Sequence, residues 1–584
     1  LVLLTIALSG MTALGAEVVW TRLLSLSLGA TVYTFSLILA AFLLGIGAGS
    51  GLGSIVARHV REPRAALGWC QLGVVVGLGW GAYAATVAIP HWPVDPSLAA
   101  PQYIRFAFQL DLLRSLVVVL PGAAFWGASF PIALAGVAAR EADAGRLVGR
   151  VYAANTLGAI AGALLTSLVF IAWLGTQRTQ QVLLATASVS ALVVLVPSFQ
   201  GVGERLALRG RGLARGAVAA AVALVLLATV GPVPGLLVAY GRYMAMRLDN
   251  HAYGDLVFVG EGMNSSMAVS RLDNGVLNYH NAGKVQASSE PQDMRLQRML
   301  GHLTTLVPEH PRSVMVIGCG AGVTAGAVSI DPAVEELTIV EIEPLVPKVV
   351  STWFSEENFA VVQNPKTRVR IDDARHYLLT TDETFDAITS DPFDPWVKGA
   401  ATLYTKEFWQ VARDHLNPGG VVTVFVQLYE STPEAVKSEV ATFLSVFPRG
   451  MVFANLNQGQ GYDVVMLGQA EEAVIDLDAI DARLSRPEYR PVAASLMEVG
   501  FYSAVDLFST FAIRRPEADA WLADAQINRD RNLRLQYLAG VGVNLYDADG
   551  IYRGMARYRA YPEGLFTGSP RQMQAMREAF EAGP

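Results

Sequence analysis

From Leu23 to Ala57 the chain runs without one Lys, Arg, His, Asp or Glu. A backbone in hydrocarbon must satisfy its own polar groups, so a run this long and apolar reads as helix, and about 20 such residues cross a bilayer. Seven segments in the first 240 residues reach that standard: 1–20, 30–57, 66–89, 115–139, 151–174, 180–199 and 214–231. So many uncharged runs argue against buried helices of a large soluble core. The mean hydropathy of +0.36 agrees. Small residues crowd the runs, as in LLGIGAGSGLGS (43–54) and GAIAGALLTS (158–167), which allow close backbone approach where lipid gives no reward for helix pairing. Glu17 inside the first segment is expected either to pair with Arg22 or to form a polar site, and Pro121 and Pro131 to bend the fourth segment.

Charge divides the chain in two. Residues 1–240 hold 14 Arg, no Lys and 7 acids, whereas 241–584 hold 30 basic and 44 acidic residues, within a total of −7. An acidic second half argues against nucleic acid and permits a cationic partner. Cys70 and Cys319 are the only cysteines, so no disulfide framework or zinc cluster is expected, and no metal. Loops 58–64, 140–150 and 205–215 carry ten arginines against four on the opposite side (Arg22, Arg105, Arg114, Arg178). The arginine-rich ends belong in the cytoplasm. With seven crossings of a bacterial inner membrane, the second half would then lie outside.

The periodicity changes near residue 256. Residues 256–286 alternate apolar and polar around turns such as Asp273-Asn274-Gly275, predicting a β-hairpin or small antiparallel sheet. A helix over 292–306 precedes alternating strands (314–318, 337–342, 368–372, 386–391, 421–427) and helices (405–416, 433–446). That pattern predicts a mainly parallel, doubly wound sheet closed by strands at 450–456 and 463–469. The expected fold is therefore a multi-span helical membrane domain (1–240), a linker and hairpin subdomain (241–290), a Rossmann-like methyltransferase-fold domain (291–470), and a helical and loop-rich extension (471–584).

Such sheets bind ligands at the carboxyl ends of their strands. Those ends read Gly318, Gly320 and Gly322 in SVMVIGCGAGV, then Glu341, then Asp372 and Asp373, then Asp391 and Asp394. Glycines permit a tight turn, and an acid closing the next strand can take both ribose hydroxyls. An acid after successive strand ends describes a nucleoside pocket without a phosphate cradle.

In this order the elements resemble the spermidine synthases, which are polyamine aminopropyltransferases. VIGCGAGV stands at that family's glycine loop, VEIE (340–343) at its ribose-binding segment, and IDDARHYL (371–378) at its adenine-binding segment. DPFDP (391–395) fits its DxxDP, followed by LYTKEFW (403–409). The resemblance implies cofactor-binding roles for Gln286, Gly318, Gly320, Gly322, Glu341, Asp372, Asp373 and Ala374. It implies substrate-binding roles for Asp394, Gln297, His302 and Tyr404, and a catalytic base at Asp391. It further implies decarboxylated S-adenosylmethionine as donor, or S-adenosylmethionine itself, and a small cationic amine such as putrescine as acceptor. A bilayer is the other expected partner, and a homo-oligomer is left open. Two positions depart from the family: Ala321 replaces the aspartate that meets the donor's amino group, and Leu296-Gln297-Arg298 replaces Tyr-Gln-Glu. Adenosine contacts survive; donor-tail and acceptor contacts change. Three readings follow: an aminopropyltransferase, an S-adenosylmethionine-consuming methyltransferase, or a non-catalytic polyamine or nucleoside sensor or transporter. Supply of the donor from the cytoplasm opposes the sidedness that the arginines indicate.

Overall fold

The computed structural model describes residues 1–92, 104–138, 144–196, 206–247, 254–391, 394–469, 471 and 474–583. Arg140, Arg205 and the Pro392-Phe393 centre of DPFDP lie outside the described residues.

The first half is a bundle of α1 (Val2–Leu28), α2 (Val32–His59), α3 (Pro63–Tyr83), α4 (Ile104–Ala138), α5 (Ala144–Leu165), α6 (Ile171–Leu195) and α7 (Leu206–Thr229). By length and composition, five helical stretches among the described residues could cross a membrane, with Ala214–Thr229 a shorter apolar one. The segment expected at 151–174 and residues 180–195 of the next fall in one 51-residue stretch, Gly145–Leu195, and 197–199 lie outside the described residues. That stretch is broken at Gly175 (φ 74°, ψ 173°). Before the break α5 runs parallel to α1, with Gly158 against Ala7 and Gly162 against Met11. After it α6 runs back, with Leu183 at Gly15 and the Ser190 hydroxyl donating to the Thr5 carbonyl. The small residues work by contact: a Cβ on Gly158 would stand 1.8 Å from the Ala7 oxygen, and one on Gly49 would stand 1.9 Å from the Ala124 oxygen. Pro121 and Pro131 both lie inside the continuous α4.

Arg22 does not serve Glu17. Five residues on a helix place side chains roughly 140° apart. Arg22 instead donates to the Gly262 and Ser265 carbonyls (2.8 and 2.9 Å) and to Ser266 Oγ (3.0 Å), tying the bundle to the second half.

Short helices α8 (Gly235–Tyr240) and α9 (Met244–Arg247) lead into that half. An antiparallel four-stranded sheet comes first: β1 (Asp255–Glu261), β2 (Ser266–Arg271), β3 (Leu277–Asn281) and β4 (Lys284–Ser288). After α10 (Pro291–Leu306) come β5 (Ser313–Ile317), α11 (Val323–Ser329), β6 (Glu336–Glu341), α12 (Leu345–Trp353), β7 (Thr367–Ile371), α13 (Ala374–Thr380), β8 (Phe385–Ser390), α14 (Lys406–Asp414), β9 (Leu416–Gln427), α15 (Pro433–Leu444), β10 (Met451–Asn457) and β11 (Gln460–Gln469). Strands β7-β6-β5-β8-β9 are parallel neighbours, and β11 and β10 add antiparallel. Apolar residues at alternate positions feed two cores, one on each face of this sheet.

The extension expected after 470 is not a separate appendage. A short strand pair joins β12 (Ile475–Asp476) to β14 (Phe566–Thr567), and β13 (Phe511–Arg514) becomes the edge of the main sheet beside β10. Four residues are too few for a periodic signal; Phe511 and Ile513 are held there by burial.

Candidate functional site

In the sheet, β5 lies between β6 and β8, and the chain departs from it in opposite directions. Doubly wound sheets open their crevice at that point. A cavity of about 470 Å³ occupies it, walled by Gly318, Gly320, Glu341, Asp372, Asp373, Ala374, Asp391 and Asp394 from the strand ends. Gln286 and Tyr279 of the small sheet, and Phe425, Gln427 and Tyr429 from the end of β9, complete it. This volume suits a nucleoside-sized ligand.

The glycine loop turns with positive φ at Gly318 (81°) and Gly320 (50°), conformations that favour glycine, and the Asp391 backbone passes close against it. Gly322 serves packing instead. It starts α11 against Asn358, whose Nδ2 would be 2.9 Å from a Cβ there, and it does not line the cavity. Glu341 ends β6 almost fully buried. Its Oε2 accepts from the Cys319 amide (2.8 Å) and its Oε1 from the Glu343 amide (2.9 Å), which fixes the carboxylate while burial raises its pKa. Asp373 caps α13 by accepting from the His376 amide (2.9 Å). Asp372 accepts from the Asp373 amide (2.8 Å) and meets His376 Nδ1 at 3.0 Å.

Asp391 follows β8. Its Oδ2 accepts from the Thr324 hydroxyl at 3.1 Å. Burial pushes its pKa up to about 6; the Thr324 hydrogen bond opposes this and the negative Asp293 adds to it. Asp394 is held by the chain itself: Lys284 Nζ donates to Oδ1 (2.7 Å) and Gln286 Nε2 to Oδ2 (3.1 Å). Lys284 also reaches Glu430 Oε2 at 2.8 Å. Glu430 is paired with Arg242 as well and accepts from the Tyr546 hydroxyl at 2.9 Å. Burial would raise the Glu430 carboxyl, but Arg242 and Lys284 outweigh it and hold the pKa down to about 2.

Besides Gly322, three residues expected at the site stand elsewhere. Gln297, on α10, donates to the Asp293 carbonyl (3.1 Å). His302 is fully buried with Nε2 2.8 Å from Ser495 Oγ, and burial followed by nearby Arg298 lowers its pKa to about 3, so it is neutral. Tyr404 is buried among core side chains beneath the cavity wall. Like Gly322, none of these lines the cavity. Arg298 turns away, paired with Glu498 and donating to the Ser495 carbonyl. Ala321 is buried, its carbonyl accepting from Asn358 Nδ2 at 3.0 Å. Sequence reasoning missed Lys284, Gln427, Tyr429 and Glu430. Lys284 lay two residues from Gln286, and Gln427 closed the strand expected at 421–427, whose carboxyl end the same rule would have marked.

Residues 293–456 match the spermine/spermidine synthase domain family. Over 433 residues the chain is 28% identical to a polyamine aminopropyltransferase of Mycobacterium tuberculosis, covering 71% of this chain and 75% of that one. That share is too large for residues 241–584 alone, so the match reaches into the helical half. Over 237 residues it is 30% identical to the polyamine aminopropyltransferase of Aeropyrum pernix, covering 40% and 75%. A crystal structure of spermidine synthase from Thermotoga maritima aligns with a TM-score of 0.38 at 19% identity, covering 46% of this chain and 87% of that one.

Proposed function

The chain belongs to the polyamine aminopropyltransferase family of transferases, and we propose that its cavity takes decarboxylated S-adenosylmethionine and passes the aminopropyl group to a small amine such as putrescine. The carrying observation is the order of strand ends. Across the sheet, β7, β6, β5 and β8 present Asp373, Glu341, the glycine loop and Asp391 in that sequence around one cavity. A donor lying along this row meets Asp373 with its adenine, Glu341 with its ribose, the loop with its sulfonium, and Asp391 where the acceptor nitrogen arrives.

The sulfonium is a good leaving group, so the protein's work is alignment and proton removal. Alkylammonium ions have pKa values near 10, leaving roughly a thousandth as free amine at neutral pH. Asp391 attracts the ammonium and takes its proton. The freed nitrogen attacks the methylene beside sulfur; the carbon–sulfur bond breaks with its pair left on sulfur, and methylthioadenosine departs. A pKa of about 6 keeps Asp391 mostly ionised at pH 7 while making it a stronger base than an ordinary aspartate.

Mass spectrometry of purified protein with each donor, with and without putrescine, tests this. Methylthioadenosine that forms only with putrescine and the decarboxylated donor is expected. Adenosylhomocysteine from S-adenosylmethionine would instead support methyl transfer.

For the helical half we infer a membrane anchor. The turn at Gly29–Thr31 and the break at Gly175 both meet the catalytic half: the Ala30 carbonyl accepts from the Lys398 amide (3.1 Å), and Glu261 accepts from the Thr176 amide (2.5 Å). Arg58, Arg61, Arg64 and Arg215 gather at the other end, where Arg215 pairs with Glu62 (3.3 Å). By the arginine rule the catalytic half then faces outward. Delivery of the donor to that side becomes a separate step.

A further inference from the structure

The position expected to receive an acceptor's ammonium already holds one. Lys284 follows a tight turn at Ala282 and Gly283 (φ 52° and 78°) and places Nζ between Asp394 and Glu430, with the rings of Trp396 and Tyr429 5.5 and 5.2 Å away. Burial opposes this charge, but the two carboxylates more than compensate and raise the lysine pKa. Two carboxylates and two aromatic faces are what a polyamine end would need, and Lys284 takes all four. A second ammonium there would meet like charge in a buried space.

Beside it lies a row of buried polar side chains. Gln427 on β9, Asp463 on β11 and Asn455 on β10 are cross-strand partners, so their side chains share one face of the sheet. Gln427 opens that face to the cavity. The three are at most 3% exposed; among the described residues Gln427 Nε2 has no hydrogen-bond partner, and the Asp463 carboxyl faces the Asn455 side chain as its hydrogen-bonding neighbour. Asp293, from the first turn of α10, reaches the same recess, its Oδ1 3.5 Å from the Tyr462 hydroxyl. Asp293 also accepts from the Ser288 hydroxyl (2.5 Å), and burial raises the pKa of both the Asp293 and Asp463 carboxyls, a cost that a cationic ligand group would offset. The Tyr429 and Tyr462 rings, 5.0 Å apart, supply apolar surface beside it.

Resting on the aminopropyl-transfer reading, we propose that the second ammonium of a diamine acceptor binds at Asp463 and Asp293, Lys284 having closed the Asp394–Glu430 position to it. The acceptor's near nitrogen faces Asp391 and its far nitrogen sits in the recess. Specificity between diamines and monoamines therefore resides in Asp463.

Calorimetry on the full-length protein in detergent, saturated with methylthioadenosine, tests this with 1,4-diaminobutane and 1-butylamine. The diamine is expected to bind at least tenfold more tightly than the monoamine. Asp463→Asn is expected to erase that advantage and Asp293→Asn to reduce it, while Lys284→Met in the Asp463→Asn background fails to restore it. Equal binding of the two amines, no binding of either, or a full diamine advantage in Asp463→Asn overturns the proposal. So does a Lys284→Met protein that gains diamine affinity while Asp463→Asn loses none, since the diamine then sits on Asp394. If Asp463→Asn no longer binds methylthioadenosine and has misfolded, Asp293→Asn decides by the same ratio. Transfer assays with the decarboxylated donor separate the two claims. Transfer to both amines without preference sinks the recess and leaves the reaction standing; no transfer to either sinks the reaction, and the binding ratio still judges the recess.

Discussion

Thr324, in the first turn of α11, donates its hydroxyl proton to Asp391 at the end of β8 across 3.1 Å, joining the glycine-loop helix to the proposed base. This bond favours the ionised carboxylate, against the burial that raises its pKa to about 6. Only the ionised form can accept a proton, so turnover should climb as pH rises through about 6. Thr324→Val should move that limb to higher pH, and Asp391→Asn should lower kcat by about 10²- to 10⁴-fold with methylthioadenosine still bound. A pH–rate profile of the three proteins checks this; an unmoved limb in Thr324→Val would detach the limb from Asp391.

Glu430 is buried between Arg242 and Lys284, and it joins the linker after α8, the small sheet and the end of β9. Removing one member strands the other charges, at a cost of about 3–5 kcal/mol. Glu430→Gln should lower the denaturation midpoint accordingly. The folded pKa of about 2 lies below the ordinary 4.5, so the stabilisation is complete above about pH 4.5 and fades as pH falls toward 2. Chemical denaturation of both proteins between pH 3 and 7 reads that difference; equal pH slopes would contradict it.

In the bundle, Gly158 admits the α1 backbone, with the Ala7 oxygen 1.8 Å from where a Cβ would stand. Gly158→Ala should force the helices apart and cost about 1–3 kcal/mol by overpacking. Gly149, where no atom of the described residues would lie within 4 Å of a Cβ, is the control for Gly→Ala itself. Thermal melts in detergent compare the two, and similar losses would count against the contact.

Sidedness follows from the arginine-rich end of the bundle lying opposite the catalytic half. Protease added to intact cells should cleave within 254–583, with the turn at 59–63 protected. Cleavage only after permeabilisation would place the catalytic half in the cytoplasm.

The order of the cavity acids was legible in the chain because strand period, turn glycines and strand-end acids are local signals. Gly318, Glu341, Asp373 and Asp391 needed only the rule that ligands sit at carboxyl ends. Small residues likewise announced close helix packing, now visible at Gly49 and Gly158. His302 and Gln297 read as site residues by likeness in position, but α10 turns them into packed surroundings, and one helical pattern does not say which face meets which neighbour.

By itself, then, the sequence determined the two-part composition, the alternating strands and helices, and the acids that could surround an adenosyl ligand. Tertiary structure alone decided that Lys284 meets Asp394 across 110 residues, that Arg22 bonds to the catalytic half rather than serving Glu17, that β13 ends the sheet, and that Asp463 is buried opposite Gln427. These are contacts between elements far apart in the chain. Their partners are chosen by which strands become neighbours and how the layers close, and no local period in the residues carries that information.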